Sequence, residues 1–121
     1  MRIGRITSIL FLSVWFNQMA WGQDDNRIAH GKRVFERYCT LCHGEGLGAD
    51  GAPMLPGTHA IYIKYRGEVP PLLQHRSDVN IELVKTVVRN GLASMPPFRQ
   101  TEVTDSDLEA IVAWFDSVAD E

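Results

Sequence analysis

Two cysteines and a histidine lie close together in one short run of the chain. Cys39 and Cys42 are separated by two residues, and His43 follows directly. This C-x-x-C-H spacing is the attachment signature of c-type haem, because two thiols three positions apart can reach the vinyl groups along one porphyrin edge. The histidine that follows is then held against the iron as an axial ligand. The motif therefore predicts one covalent haem c, attached through Cys39 and Cys42 with His43 on the iron.

The same two cysteines have other chemical interpretations. A structural zinc site needs two further soft ligands at suitable spacing, and the sequence contains two cysteines in all and no second C-x-x-C. A thioredoxin-like dithiol belongs in a βαβ context, which the sequence pattern does not suggest. The spacing favours haem attachment over both.

An iron with one histidine ligand takes a sixth ligand or stays open to substrates, and this choice decides function. Met95 is the candidate sixth ligand, because it follows a helix-ending glycine and leads into Pro96 and Pro97. The prolines remove backbone donors and stiffen the chain behind the sulfur. A methionine opposite histidine raises the reduction potential. The weaker alternatives are Met54 and a second histidine ligand. The remaining histidines are His30, His59 and His75.

The first 22 residues have the pattern of an export signal. Two arginines precede an apolar run over residues 6–16, and small residues, Ala20 and Gly22, stand where a signal peptidase cuts. The apolar run is shorter than the roughly 20 residues that a membrane span needs. The sequence predicts a signal peptide over residues 1–22 and a mature domain over residues 23–121, with an uncleaved anchor as the alternative.

The charge of the chain argues against some classes of partner. The formal net charge is −3, and residues 1–22 contain two arginines and no acidic residue, so the mature domain carries −5. The propionates of a haem would add further negative charge. Nucleic acid and anionic membrane surfaces are therefore poor partners for this chain.

Three segments have the pattern of amphipathic helices. The first covers residues 28–38, where apolar residues recur at three- and four-residue steps. The second begins after Asn80 as a cap and ends at Gly91, with a strand as the less favoured alternative. The third follows a capping-box sequence that runs from Thr104 to Asp107.

A stretch rich in glycine and proline lies between the first two helices. Ten of the 34 residues from 44 to 77 are glycine or proline, and no helical or strand period is sustained. A loop of this length is uncommon in a compact domain, unless it wraps a cofactor. Leu55, Leu72 and Leu73 are the candidates for its contacts with the porphyrin. The predicted fold is all-α, with about three main helices and a long loop that wraps one covalent haem.

Four separated motifs of this chain resemble those of class I, mitochondrial-type monohaem cytochromes c of the short bacterial periplasmic kind. They are Gly31 with Phe35, the haem motif, Met95 with Pro96 after Arg89-Asn90-Gly91, and residues 111–115. The resemblance implies that an aromatic residue of the C-terminal helix crosses the first helix near Gly31. It also implies that the carbonyl of Pro53, or alternatively of Pro56, accepts a hydrogen bond from the proximal histidine.

The resemblance implies a periplasmic one-electron carrier that is not an enzyme. The donor it implies is a periplasmic flavin- or quinone-dependent dehydrogenase, and the acceptor is a terminal oxidase or another cytochrome. One alternative is a dedicated cytochrome subunit of such a dehydrogenase. The other is a haem sensor or enzyme with an open sixth position.

Residues 62–77 match no motif of that family. They contain three basic residues that are candidates for pairing with the haem propionates, since arginine suits carboxylates. These are Lys64, Arg66 and Arg76. Solvated charges on a loop are the alternative interpretation of each.

Overall fold

Five α-helices and two 3₁₀ turns make up the part of the chain that the computed structural model describes, which is residues 7–119, with side chains from Gly22 onward. The helices are α1 (Thr7–Tyr38), α2 (Thr40–His43), α3 (Pro56–Tyr65), α4 (Ile81–Asn90) and α5 (Asp105–Val118). The 3₁₀ turns cover Ala49–Gly51 and Leu73–His75. Within these residues there is no β-strand, so the predicted all-α fold is confirmed.

The first helix begins earlier than the sequence predicts and ends where it predicts. A helix was expected over residues 28–38, whereas α1 runs without a break over Thr7–Tyr38. The positively charged start of the predicted signal peptide lies outside the described residues, and the division of the chain at residue 22 stays a prediction. Among the helices of the described region, none is long and apolar enough to cross a membrane.

The core is built around the crossing of α1 and α5. A Cβ atom at Gly31 would collide with the backbone carbonyl of Ala110 and lie 2.7 Å from the backbone nitrogen of Ile111. The two backbones therefore touch, which only a residue without a side chain permits. One turn later, Phe35 meets Phe115 edge to face, with ring centroids 5.4 Å apart, an arrangement that aromatic pairs prefer. The predicted crossing of an aromatic residue near Gly31 is confirmed.

Apolar side chains from several segments complete this core. Leu108 on α5 is the most deeply buried, at 1% exposed. The buried members are Val34, Phe35, Val79, Val103, Leu108, Ile111 and Phe115. Half-buried residues packed against them include Cys39 and Phe98. The core thus borders both the haem motif and the segment after Met95.

The capping residues of α4 and α5 behave as the sequence predicts. The side-chain oxygen of Asn80 accepts a hydrogen bond of 3.0 Å from the backbone N–H of Leu83, and Gly91 ends α4 with a φ of 73°. At the start of α5, the Thr104 hydroxyl oxygen accepts from the Asp107 N–H at 3.1 Å. The Asp107 carboxylate accepts from the Thr104 N–H at 2.8 Å. The helix prediction for α4 is therefore confirmed over the strand.

The long loop expected over residues 44–77 contains a helix that the sequence analysis missed. Pro56 occupies the first turn of α3, where its missing N–H is not needed, and Arg66 ends the helix with a φ of 54°. Apolar side chains are spread around all faces of α3, so no helical period marks it. The buried Thr58 hydroxyl donates to the carbonyl of Gly44 at 3.0 Å and fastens α3 to the end of α2.

Gly31→Ala is expected to destabilise the haem-loaded protein by about 1–3 kcal/mol, because the added methyl group overpacks the crossing. Helix propensity alone predicts that the substitution stabilises the protein, since alanine is about 1 kcal/mol more favourable than glycine inside a helix. The free energy of unfolding from a denaturant titration decides between them. Ala29→Gly, at an exposed position of the same helix, calibrates the propensity difference. A stabilised Gly31→Ala variant would contradict the close crossing.

Candidate haem site

The haem motif consists of Cys39 and the four residues of α2, a single helical turn that follows α1 almost directly. Cys39 separates the two helices, and His43 is the last residue of α2. The backbone N–H groups of Cys42 and His43 both donate to the carbonyl of Cys39, at 3.1 and 2.8 Å. Both cysteines are free thiols, which thioether attachment requires. The turn therefore holds the three predicted residues together as one unit.

The two thiols differ in their environment. Cys39 is half-buried against the core, whereas Cys42 is exposed. Burial, and secondarily the neighbouring Cys42, raises the pKa of the Cys39 thiol to about 11, because the thiolate is poorly solvated there. Cys39 is therefore protonated at neutral pH. A haem attached to both would be held by one half-buried and one exposed cysteine.

His43 has the properties of an iron ligand. Burial lowers its pKa, because the charged imidazolium is disfavoured away from water, and the neutral ring is the form that binds a metal. Its Nδ1 atom is buried and has no hydrogen-bond partner among the described residues. Metal-bound histidines usually donate that second N–H to an oxygen. The residues here fit a haem, and the expected hydrogen bond from His43 to the carbonyl of Pro53, or alternatively of Pro56, stays a prediction.

Gly57, in the first turn of α3, packs directly against the His43 ring. A Cβ atom at this position would lie 2.7 Å from Cε1 and 2.8 Å from Nδ1 of His43, and 2.9 Å from the carbonyl oxygen of Cys42. Nothing in the local sequence distinguishes Gly57 from the other glycines of the stretch. Only the tertiary contact identifies it as a residue that positions the His43 ring.

Residues 91–98, named here the Met95 loop, return to the end of α4. Leu92 and Met95 exchange backbone hydrogen bonds of 3.1 and 2.9 Å, and Ala93 between them has a φ of 52°. A Cβ atom at Gly91 would lie 2.7 Å from the carbonyl oxygen of Met95, so the loop also needs glycine at its start. The Met95 side chain is half-buried. The backbone of Met95 is thus fixed by a tight turn.

Aromatic rings join the Met95 loop to the haem motif. Tyr38, directly before Cys39, meets Phe98 edge to face with ring centroids 6.3 Å apart. Phe98 is in turn bonded to α4, since its N–H donates to the carbonyl of Val88 at 2.8 Å. The segments that carry the two predicted axial ligands are therefore connected on this side of the core.

The predicted propionate partners lie in different environments. Arg76 is buried, at 6% exposed, and donates from Nε and Nη2 to the two carboxylate oxygens of Asp78 at 2.8 and 2.6 Å. This bond lowers the pKa of Asp78. The Arg76 guanidinium and the Lys64 ammonium group lie 4.8 and 5.1 Å from the centre of the Tyr65 ring. Arg66 is exposed at the end of α3. Contact of any of them with a propionate stays a prediction.

The alternative ligands have other surroundings. His30 forms a hydrogen bond of 2.6 Å between Nε2 and the carboxylate of Asp107, which joins α1 to α5. His59 is half-buried on α3, and His75 is exposed. No group of three or more histidine, cysteine or acidic side chains that could hold a metal ion occurs within the region whose side chains are described. The zinc interpretation gains no support there.

Two of three comparisons with known proteins find a match. Residues 26–115 match the protein-family model described as cytochrome C oxidase, cbb3-type, subunit III. The chain is also similar to a protein named cytochrome c6 from Cyanidioschyzon merolae, at 26% identity over 106 residues. That alignment covers 88% of this chain and 86% of the relative. No solved structure matches the chain significantly.

Gly57→Ala is expected to displace the His43 ring and to destabilise the haem-loaded protein by about 1–3 kcal/mol, because the added methyl group overpacks the contact. The free energy of unfolding and the absorption spectrum of the reduced protein measure the two effects. Ala60→Ser, at an exposed position of the same helix, is the control. If Gly57→Ala leaves both the free energy of unfolding and the spectrum unchanged, Gly57 does not pack closely against His43 in the haem-loaded protein.

Proposed function

The chain belongs to the cytochrome c family, through the domain described as subunit III of the cbb3-type oxidase, and from this membership we propose that it is an exported one-electron carrier. The observation that carries the proposal is the C-x-x-C-H run on α2, with its buried and unpartnered His43 Nδ1. A haem attached through Cys39 and Cys42 supplies an iron that accepts and releases one electron. The sequence pattern of residues 1–22 supports export to the periplasm.

Two residues of the chain are suited to hold the iron from opposite sides. His43 offers the iron a neutral imidazole, and its ring packs against Gly57. Met95 presents a thioether from a backbone turn that is closed by Leu92. A thioether opposite an imidazole favours the ferrous state and occupies the sixth position. With both positions occupied by the protein, no substrate reaches the iron, which supports a carrier over an enzyme or sensor.

Electrons would enter and leave beside Cys42, the exposed attachment residue. Leu41 is 83% exposed and Leu47 is 73% exposed, so apolar side chains are available for contact near the motif. Complexes of transient redox partners have small interfaces. We place a periplasmic dehydrogenase as donor, and a terminal oxidase or another cytochrome as acceptor, at this surface.

The exposure of Leu41 and Leu47 also favours a second candidate function. Exposed apolar side chains that lie together form the kind of surface that a stable partner covers. The second candidate is therefore a haem subunit of a larger redox enzyme, such as a periplasmic dehydrogenase. Isolation of the native protein in a stable complex of larger size would select this candidate over the free carrier.

Met95→Ala is expected to open the iron, because the side chain that remains cannot reach it. Carbon monoxide should bind the ferrous variant at neutral pH and should not bind the wild type. The reduction potential should fall, and the weak long-wavelength absorption of sulfur-ligated ferric iron should disappear. Met54→Ala, which removes the other candidate methionine, should leave all three properties unchanged. Carbon monoxide binding to the wild type would instead support an open-site sensor or enzyme.

Electron transfer with a basic partner is expected to slow as ionic strength rises, because the mature chain carries a charge of −5. Raising the salt from about 0.01 M to about 0.15 M shortens the screening length from roughly 30 Å to roughly 8 Å. Stopped-flow measurement of the second-order rate constant tests this, with a small neutral reductant as the control donor. A rate that does not fall with salt would contradict electrostatic attraction between the proteins.

A further inference from the structure

We propose that Arg89 is a positioning residue that keeps the Met95 loop closed over the iron. It lies in the last turn of α4, and its guanidinium reaches the end of that loop. The inference rests on the proposed ligation of iron by Met95. The hydrogen bonds of Arg89 go to Phe98, Val103 and Asp105 and not to His43 or Met95, so it acts through the backbone of the loop.

One guanidinium serves three acceptors on two segments. Arg89 Nη1 donates to the carbonyl of Phe98 at 3.1 Å, and Nη2 donates to the carbonyl of Val103 at 2.9 Å. Nη2 also donates to the carboxylate of Asp105 at 2.5 Å. Phe98 is the last residue of the Met95 loop, and Asp105 is the first residue of α5. Of the described side chains, only that of Arg89 donates to a carbonyl of this loop.

Backbone hydrogen bonds hold both ends of the Met95 loop to α4. The N–H of Gly91 donates to the carbonyl of Val87 at 2.8 Å, and the N–H of Phe98 donates to the carbonyl of Val88 at 2.8 Å. Arg89 comes directly after Val88. The N–H of Phe98 is therefore bonded to Val88 and its carbonyl to Arg89. Only the second bond comes from a side chain, so only that bond can be removed by a substitution.

The surroundings of Arg89 strengthen its hydrogen bonds. Its side chain is 21% exposed, and hydrogen bonds from a charged donor are stronger where water is largely excluded. The bond from Arg89 lowers the pKa of Asp105, so the pair stays ionised at neutral pH. Lysine has no fork that matches three acceptors at once. The three acceptors can therefore be bonded at once by arginine and not by lysine.

Closure of the loop controls access of other ligands to the iron. A competing ligand binds only to the fraction of molecules in which Met95 has left the iron, so its apparent affinity is proportional to that fraction. Such local opening can change without global unfolding. A residue that acts only on overall stability would not alter this affinity at temperatures far below unfolding.

The test is imidazole binding to the ferric holoprotein, followed by absorption. Arg89→Gln is expected to bind imidazole about tenfold more tightly than the wild type, because the bonds of a charged donor to the loop are lost. Arg89→Lys should fall between the two. The absorption of sulfur-ligated ferric iron should weaken in the same order.

Two control variants separate the loop contact from the ion pairs of α4. Asp105→Asn removes the carboxylate and leaves the Phe98 carbonyl bond to Arg89. Lys85→Gln removes a second pair between α4 and α5, in which Lys85 Nζ lies 3.1 Å from the carboxylate of Glu109. Lys85→Gln should bind imidazole as weakly as the wild type. Asp105→Asn keeps the loop bond but loses the carboxylate partner of Arg89, so it should bind imidazole less tightly than Arg89→Gln does. If Lys85→Gln tightens binding as much as Arg89→Gln, the effect is one of helix packing and the inference is wrong.

The outcome for Met95→Ala separates this inference from the proposed function. If this variant binds imidazole more tightly than the wild type and Arg89→Gln does not, Arg89 is not a positioning residue and the ligation by Met95 stands. If the wild type binds imidazole as tightly as Met95→Ala, Met95 does not close the iron and both proposals fail. Should Arg89→Gln not yield holoprotein, equal affinities of Arg89→Lys and Lys85→Gln would overturn the inference.

Discussion

The close crossing of α1 and α5 at Gly31 is the contact on which the rest of the structure depends. A Cβ atom there would collide with the carbonyl of Ala110, so the position fixes the distance between the two helices. Phe35 then packs on α5 one turn further along α1. Cys39 follows Phe35 by four residues, and its N–H donates to the Phe35 carbonyl at 2.8 Å. The crossing therefore determines where the haem motif lies relative to the core.

The two predicted iron ligands come from different segments of the chain. His43 is placed by α2 and is backed by Gly57 of α3, whereas Met95 belongs to a loop closed against α4. Tyr38 and Phe98 connect these two parts through their rings. Small changes in either part would alter the spacing of the ligands, and the reduction potential of a haem depends on its axial ligands. The proposed pair of iron ligands thus depends on the packing of several segments rather than on one motif.

Charged side chains in this domain differ in what they contribute. Arg89 is half-buried and bonded to the backbone carbonyls of Phe98 and Val103, so its bonds connect α4 to the segment that follows it. Lys32 and Glu36 form an exposed pair at 3.9 Å on one helix, and such pairs contribute about 0–1 kcal/mol. The degree of burial of a charged side chain therefore indicates its contribution to the structure around the site better than the number of ion pairs does.

The sequence by itself determined the haem motif and the ends of α4 and α5, because spacing and capping depend on groups only a few residues apart. The hydrogen bonds of Asn80 and Thr104 follow from residue type in this way. The sequence did not reveal α3, whose apolar side chains follow no period, nor the early start of α1. Only the tertiary structure showed that Gly57 packs against His43 and that Arg89 donates a hydrogen bond to a carbonyl of the Met95 loop. Both contacts depend on how one segment of the chain folds back on another, and such packing has no local signature in the sequence.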